Sequence, residues 1–373
     1  MGVLDGIKVV EMATSWPGRF CGMFLADLGA DVIAVERPAA DAGRPRPELI
    51  ASRGKRSVML DLKQPGAIEA VLKLVDAADV LIEGMRPGVM ERLGLGPEVC
   101  LARKPSLVYG RLTGWGQEGP LAQAPGYDSS FAALSGALWL ATEPGERPQA
   151  SPNLLAGVAG GALYLMLGVL AAAIRAQADG RGQVVDAAMV DGSANLQNLM
   201  LAMLPGRDGN FDFVRPNGFR RPWIRSYRCA DGGWIRVEPD EPQFYAEFLQ
   251  RLGLDHDPRF INGQKNRADW PAVAAGLDAV FATRTRAQWC ELLEGTDACF
   301  SPILTPAEAA QHPHNVAREV YETVDGVLQA APAPRFSATP AAKGARVPPR
   351  GAHTHEVLRE LGLDAARAGV PGS

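Results

Sequence analysis

The first 112 residues alternate strand-like and helical segments at short spacing, and this alternation restricts the fold more than any other feature. Apolar runs at 7–11, 31–36, 79–83 and 106–112 predict strands, with helical patterns at 17–28, 65–77 and from Pro87 onward. A strand, a helix and a second strand in succession predict βαβ units, whose strands run parallel in one sheet. We therefore expect an α/β protein with a parallel sheet.

The first turn between strand and helix argues against a dinucleotide cofactor. Its sequence, Met12-Ala-Thr-Ser-Trp-Pro-Gly18, lacks the glycine pattern GxGxxG that lets a helix N-terminus approach a pyrophosphate. A nicotinamide or flavin enzyme is therefore not expected.

Charge and cysteine content exclude several other classes. The net charge is −4 and the pI about 5.8, which argues against nucleic acid or an anionic membrane as the main partner. The five cysteines are widely spaced without a CxxC pair, and the sequence shows no secretory leader. We therefore expect a cytoplasmic, reduced protein without a metal.

One segment has the length of a membrane span. The 21 residues from Leu154 to Ile174 carry no charge, but Gly and Ala dominate them and no second span accompanies them. A charged stretch, 175–181, and a strand-like run follow. We predict a buried core helix in a soluble protein.

The second half of the chain has a different organisation. Residues 204–225 are rich in Gly, Pro, Arg and Asn, which is typical of a linker or extended loop. A new unit begins near Tyr227, with a strand at Trp234–Val237 and helices near 242–252, 268–282 and 285–294. The Pro- and Ala-rich tail at 330–349 is expected to run extended over the surface.

Several motifs in fixed order resemble the class III CoA-transferase family, and in particular its α-methylacyl-CoA racemase branch. The motifs that carry the family resemblance are Leu25-Ala-Asp-Leu-Gly-Ala-Asp-Val-Ile33, Glu36-Arg-Pro38, Lys55-Arg-Ser-Val-Met-Leu-Asp-Leu-Lys63, Asp79-Val-Leu-Ile-Glu-Gly-Met-Arg-Pro-Gly88 and Gly180-Arg-Gly-Gln-Val-Val-Asp186. Those typical of the racemase branch are Glu91-Arg-Leu-Gly-Leu-Gly96, Leu112-Thr-Gly-Trp-Gly-Gln117, Asp186-Ala-Ala-Met-Val-Asp-Gly192 and Glu241-Pro-Gln-Phe-Tyr245.

The resemblance implies a domain layout and an assembly. It implies a Rossmann-like large domain from 1–203 and 331–373, a smaller α+β domain at 226–320, and linkers at 204–225 and 321–330. Two chains would interlock like chain links, as a homodimer or as a heterodimer with a homologous subunit. The active site would lie between the large domain of one chain and the small domain of the other.

The resemblance also implies an acyl-CoA thioester as ligand, with CoA a part of the substrate and no separate cofactor. The positions that match the family's CoA contacts are Arg37, Leu60, Lys63, Gly84, Arg86 and Arg92. They follow predicted parallel strands, where α/β sheets bind ligands, and basic side chains there suit the CoA phosphates. Arg53, Lys55 and Arg56 add a basic run, although each of these charges is also compatible with an ordinary surface position.

The catalytic positions depart from the family. Its transferases use an Asp as nucleophile, and its racemases use the same Asp with a His as two proton carriers on opposite faces of an enolate. The resemblance places the Asp at Gly157 and the His at Tyr127. Trp16 replaces a Gln that many transferases place beside the acyl group.

Other groups remain as candidates for the chemistry. Tyr127, Asp128 and Glu241 are candidate proton carriers, and the backbone N–H groups of Gly157, Gly160 and Gly161, near the expected start of the long helix, are candidates to hold a thioester oxygen. Structural roles compete with these: a packed aromatic for Tyr127, a turn or cap for Asp128, and a cap at the start of the small domain for Glu241.

Three functions stay open at this point. In the first, the chain is an enzyme that acts on an acyl-CoA by non-standard chemistry, such as a one-base isomerase, a lyase or a condensing enzyme. Alternatively it is a non-catalytic CoA-binding subunit whose homologous partner supplies the missing Asp. An ordinary racemase or transferase requires a different residue to align at position 157.

Overall fold

The chain separates into two compact units. The computed structural model describes residues 2–12, 15–143, 145–149, 153–203, 221–365, 368 and 370. The first unit comprises Met1–Leu138, Gln149–Leu201 and Glu319–Ser373, and the second comprises Trp139–Pro148 and Ala202–Arg318. Most of the predicted linker at 204–225 lies outside the described residues.

The first unit is built on a six-stranded parallel sheet, which confirms the predicted α/β class. Its strands are β1 (Lys8–Met12), β2 (Asp31–Glu36), β3 (Arg56–Met59), β4 (Val80–Glu83), β5 (Val108–Thr113) and β6 (Gln183–Ala188). They lie in the order β3-β2-β1-β4-β5-β6. The direction of strand succession reverses between β1 and β4, and open sheets of this kind bind ligands outside the carboxyl ends of the strands at that point.

Helices cover both faces of this sheet, and the central residues of β1, β2 and β4 are accordingly apolar and buried. Numbered in chain order, the α-helices of both units within the described residues are α1 (Trp16–Asp27), α2 (Pro65–Ala77), α3 (Val89–Arg92), α4 (Pro97–Arg103), α5 (Asp128–Leu134), α6 (Ala137–Leu140), α7 (Leu163–Asp179), α8 (Met189–Asn195), α9 (Asn198–Ala202), α10 (Pro242–Leu252), α11 (Pro258–Ile261), α12 (Trp270–Phe281), α13 (Arg286–Leu293), α14 (Pro306–Gln311), α15 (Pro313–Ala317) and α16 (Thr354–Glu360). Val71 of α2 packs on one face of the sheet and Val169 of α7 on the other.

The long apolar helix is only half buried. It begins as a π-helix, Leu154–Ala162, and continues directly into α7. Leu165 and Val169 are fully buried, whereas Leu167 is 65% exposed and Ile174 71% exposed. The prediction of a buried core helix is therefore correct for one face and wrong for the other. Among the described residues, this helix is the one long and apolar enough to cross a membrane by length and composition.

The second unit is a small α+β body with an aromatic core. Its antiparallel sheet consists of β7 (Arg225–Arg228), β8 (Trp234–Val237) and β9 (Phe300–Ile303), in that order. Tyr227 stacks on Phe281 with ring centroids 4.8 Å apart, and Trp289 meets the same ring edge-on at 5.0 Å. These rings supply much of the apolar area that holds helices α10, α12 and α13 on the sheet.

The segment 321–330, assigned from the sequence to a return linker, is a β-hairpin in the structure. Strands β10 (Tyr321–Val324) and β11 (Val327–Ala330) pair antiparallel and belong to the first unit. The hairpin is anchored to the sheet domain because Arg53 donates hydrogen bonds to Gln329 Oε1 at 3.1 Å and to the Ala330 carbonyl at 2.7 Å. The tail that follows, up to Pro349, has no helix or strand.

Candidate functional site

A buried ion pair holds the loop that follows β4. The Glu83 carboxylate accepts hydrogen bonds from the Met85 backbone N–H at 2.7 Å and from Arg111 Nε at 2.8 Å. Burial raises the pKa of Glu83, although the Met85 N–H and Arg111 both favour its ionised form. Gly84 and Arg86, two predicted CoA contacts, flank Met85 and are therefore held at the carboxyl edge of the sheet.

A cavity of about 570 Å³, the outer cavity, lies beside the carboxyl ends of β2, β3 and β4. Its lining residues are Arg37, Pro38, Asp61, Leu62, Lys63, Met85, Val89 and Leu93. Arg37 and Lys63 are exposed, and neither has a carboxylate partner within ion-pair distance among the residues that the structure describes. The structure thus places these two predicted CoA contacts around one cavity.

The other four predicted CoA contacts do not line this cavity, and for Leu60 and Arg92 the reason is local. Leu60 is 1% exposed and packs in the core beneath it, so its side chain offers no surface to a ligand. Arg92 is exposed in the short helix α3, and one guanidinium nitrogen lies 3.2 Å from the point where a Cβ on Gly88 would stand. Arg92 therefore folds back over the loop after β4, where Gly88 leaves room for it.

The basic run at 53–56 does not contribute to the cavity, contrary to the sequence-based interpretation. Each cation lies against a carboxylate: Arg53 Nη2 is 2.6 Å from Asp27, Lys55 Nζ is 2.5 Å from Glu11, and Arg56 Nη2 is 2.6 Å from Asp31. Burial lowers the pKa of Lys55 and raises that of Glu11. These charges cross-link β1, β2, α1 and β3, and their neutralisation leaves none of them for a phosphate.

A second cavity, the inner cavity, lies at the switch point of the sheet and measures about 270 Å³. The residues that matter for its chemistry are Ser15, Gly84, Arg86, Trp115 and Tyr127, together with Phe131. Met85 lines both cavities, so the two are neighbours along the loop after β4. Sequence reasoning did not single out Ser15 and Trp115; the available signal was their position directly after β1 and β5.

Gly157, which the resemblance aligns with the family's Asp, lies beside Asp128 at the start of the π-helix. Asp128 Oδ1 accepts hydrogen bonds from the backbone N–H of Ala156 at 3.0 Å and of Gly157 at 2.5 Å. Asp128 is 8% exposed, and its Oδ2 is buried without a hydrogen-bond partner in the described part of the chain. A Cβ on Gly157 would lie 3.2 Å from Asp128 Oδ1 and 3.1 Å from Pro17 Cγ.

Asp128 therefore caps the long helix from outside its own segment. The first N–H groups of a helix lack intrahelical partners, and a carboxylate there also interacts favourably with the helix dipole. The N–H of Gly157 is occupied by this carboxylate, so the prediction that it is free to hold a thioester oxygen is wrong. A Cβ on Gly160 or Gly161 would lie within 3.0 Å of Ser193 or Met189, so both glycines allow close packing against α8.

The remaining proton-carrier candidates have different environments. Tyr127 is 84% exposed and lines the inner cavity, so the alternative of a packed aromatic is wrong. Glu241 belongs to the second unit, where it occupies the N-cap position of α10 and is exposed. Its side chain makes no capping hydrogen bond, which leaves the carboxylate available for another role.

Comparisons with known proteins agree with the motifs and the fold. The family model "CoA-transferase family III" matches residues 4–354. The chain is 42% identical over 366 residues to mouse alpha-methylacyl-CoA racemase, covering 97% of this chain and 94% of the relative. It is 41% identical over 371 residues to the human racemase of the same name, covering 96% and 94%. A CAIB/BAIF family protein from Brucella suis superposes with a TM-score of 0.84 at 28% identity, covering 96% of this chain and 99% of that one. The chain therefore belongs to CoA-transferase family III.

Proposed function

We propose that this protein binds an acyl-CoA thioester along the carboxyl edge of the parallel sheet and acts on its acyl group without a covalent carboxylate intermediate. The observation that carries the proposal is the pair of adjacent cavities at the switch point. Arg37, Lys63 and Arg86 lie around them without carboxylate partners among the described residues. The relatives that are 42% and 41% identical are named as racemases of an acyl-CoA, which supports the same ligand class.

The charge distribution fits the two ends of this ligand. CoA carries a 3′-phosphate and a pyrophosphate, which need cations that are not already neutralised. Arg37 and Lys63 offer two at the outer cavity, in contrast to the paired run at 53–56. The pantetheine arm would pass Met85, which both cavities share, and would deliver the thioester to the inner cavity.

The chemistry must use groups other than those that the resemblance predicts. Gly157 offers no nucleophile, and Tyr127 replaces the expected His, so neither transfer through a mixed anhydride nor His–Asp racemisation has its usual groups. Asp128 is the carboxylate at this point, with Oδ1 engaged by two N–H groups and Oδ2 unpartnered. We infer a one-base reaction through an enolate, in which Asp128 takes the α-proton and Tyr127 stands at the mouth of the cavity.

The same residues also support a second candidate, a CoA-binding subunit that works beside a catalytic homologue. In that case Arg37, Lys63 and Arg86 keep their role, while Asp128 serves only as the helix cap. Proton exchange by the purified chain alone would exclude this candidate. Activity that appears only when a homologous chain with Asp at this position is added would establish it.

The central experiment measures CoA affinity by calorimetry. Replacing Arg37 and Arg86 by Ala removes two charge-assisted contacts, each worth about 1.5–3 kcal/mol, so affinity should fall at least about tenfold per contact. The control for each single replacement is Arg181→Ala, which removes one arginine charge from the turn before β6, at the amino ends of the parallel strands. Equal affinities of the double variant and the control would refute the proposed site.

Assembly and location belong to the same proposal. We propose that a second copy, or a homologous chain, covers the exposed apolar face of α7, because Leu167 and Ile174 stand one above the other on that face. CoA enters as part of the substrate, so no separate cofactor is proposed. A cytoplasmic location stays a prediction that fractionation of cells would test.

A further inference from the structure

Residues 346–354, the C-terminal segment, lie along the open edge of the parallel sheet. β3 is an edge strand of that sheet, and the C-terminal segment bonds to its outer backbone groups. The Ser57 N–H donates to His353 Nδ1 at 3.1 Å, and the Met59 N–H donates to Thr354 Oγ1 at 3.0 Å. Backbone groups at a sheet edge need partners of this kind, so the contacts fix the C-terminal segment to β3.

From this position Arg350 reaches the loop that carries Arg37. Arg350 Nε donates to Asp41 Oδ1 at 2.9 Å, and Arg350 Nη1 donates to the backbone carbonyl of Arg37 at 3.4 Å. In the other direction, the Gly43 N–H donates to the Arg350 carbonyl at 3.2 Å. Residues 37–49 contain no helix or strand, so these contacts from outside the loop hold its shape.

A buried arginine holds the start of the same loop. Arg46 Nη1 donates to Glu36 Oε1 at 2.7 Å, and both side chains are buried. Arg46 Nε donates to the Pro348 carbonyl at 3.0 Å, so this arginine also ties the loop to the C-terminal segment. Glu36 is the last residue of β2 and directly precedes Arg37. The backbone at Arg37 is therefore fixed from two directions, while its side chain stays exposed at the outer cavity.

Arg350 itself is not placed to bind a phosphate. Its side chain is largely buried and is not among the residues that line the outer cavity. Its guanidinium also faces two carboxylates, Asp41 at 2.9 Å and Glu36 at 3.5 Å, which neutralise its charge. An effect of Arg350 on a ligand at this cavity must therefore pass through Arg37.

We propose that Arg350 is a positioning residue for CoA binding: it holds the backbone at 37–43 and so fixes Arg37 where a CoA phosphate binds. This inference rests on the proposed function, since it concerns the same CoA site. A cation that is already held in its binding geometry loses less conformational entropy when the ligand arrives, so pre-organisation raises affinity. Loss of Arg350 should weaken CoA binding about three- to tenfold, the value of one side chain that must be ordered on binding.

The test measures CoA affinity by calorimetry for Arg350→Ala and Asp41→Ala, which break the same contact from its two sides. Asp41→Ala separates positioning from simple attraction, because CoA is a polyanion and Asp41 is negative. Attraction alone predicts tighter binding when this negative charge is removed, whereas positioning predicts about three- to tenfold weaker binding. The matched control is Arg346→Ala, which removes the same charge from an exposed position in the same segment and should leave the affinity unchanged.

A double-mutant cycle with Arg37→Ala tests whether Arg350 acts through Arg37. In the Arg37→Ala background, the further change Arg350→Ala should have almost no effect on CoA affinity. Thermal unfolding checks that the variants fold, and the partly exposed Asp41 provides a variant that leaves the core intact.

The outcomes separate this inference from the proposed function. Unchanged affinity of Arg350→Ala, tighter binding by Asp41→Ala, or full additivity of the two arginine replacements would overturn the positioning role and leave the CoA site standing. Absence of CoA binding by the unmodified protein would instead refute the proposed function, and the positioning role with it.

Discussion

Restoring the two residues that the family resemblance expects should create inversion at the α-carbon, which needs two proton carriers and which the one-base reaction proposed for the unmodified protein does not provide. The change is Gly157→Asp combined with Tyr127→His, which supplies an imidazole at the inner cavity and a carboxylate beside Asp128. The backbone at Gly157 does not have a positive φ, so an L-residue is accepted there. The new Cβ would lie 3.1 Å from Pro17 Cγ and 3.2 Å from Asp128 Oδ1, so both neighbours must shift slightly.

Electrostatics sets the magnitude of the effect. The new carboxylate would lie within roughly 5 Å of Asp128, and two unit charges at that separation repel by about 3 kcal/mol at an effective dielectric constant of about 20. This repulsion disfavours two charged carboxylates side by side, so the pair should hold one shared proton. Because the repulsion exists in the folded state alone, the variant should lose stability relative to the unmodified protein as pH rises and both carboxylates ionise.

The assay is α-proton exchange of a 2-methylacyl-CoA in deuterated water, followed by NMR. A positioned general acid or base contributes about 10²- to 10⁴-fold, so the double variant should exceed the unmodified protein by at least the lower figure. Gly157→Ala with Tyr127→His is the matched control, because it adds the same Cβ and imidazole without a carboxylate. Rapid inversion by the unmodified protein would refute the reasoning and would point to Glu241 as a second proton carrier besides Asp128.

Three further predictions concern stability and assembly. Gly22→Ala should destabilise the fold by about 3–5 kcal/mol in urea unfolding, because its Cβ would stand 1.8 Å from Glu11 Oε2 and break the buried pair with Lys55. Burial by itself would raise the pKa of Glu36, but hydrogen bonds from its arginine and serine partners outweigh burial and hold that pKa below the ordinary value. Native stability should therefore fall as the pH drops through the pKa of Glu36. Glu36→Gln should remove that part of the acid-unfolding profile. Leu167→Glu should convert a dimer to monomers in light scattering, and a monomeric mass of the unmodified protein at micromolar concentration would contradict the proposed assembly.

The strands and helices of the first unit were predictable because their signals are local. Strand 31–36 and helix 65–77 were predicted with the bounds that the structure shows, and Pro65 at the first turn is a direct start signal. The exposed half of α7 was not predictable, since Leu167 and Leu165 are the same residue type. Which of them meets the sheet depends on the rotation of the helix above β5.

In the candidate site, too, some features follow from the sequence and others from the tertiary structure. The sequence by itself determined the residue types: a chain with glycine at 157 and tyrosine at 127 has no nucleophile or imidazole there in any fold, and its motifs in order carry the CoA positions. Only the tertiary structure decided which charges are available. Arg53 and Lys55 read like Arg37 and Lys63 in sequence, but they are neutralised by carboxylates from other segments, because helix α1 and strand β1 bring Asp27 and Glu11 against them. The same holds for Ser15 and Trp115, which line one cavity because β1 and β5 end at the same edge of a parallel sheet.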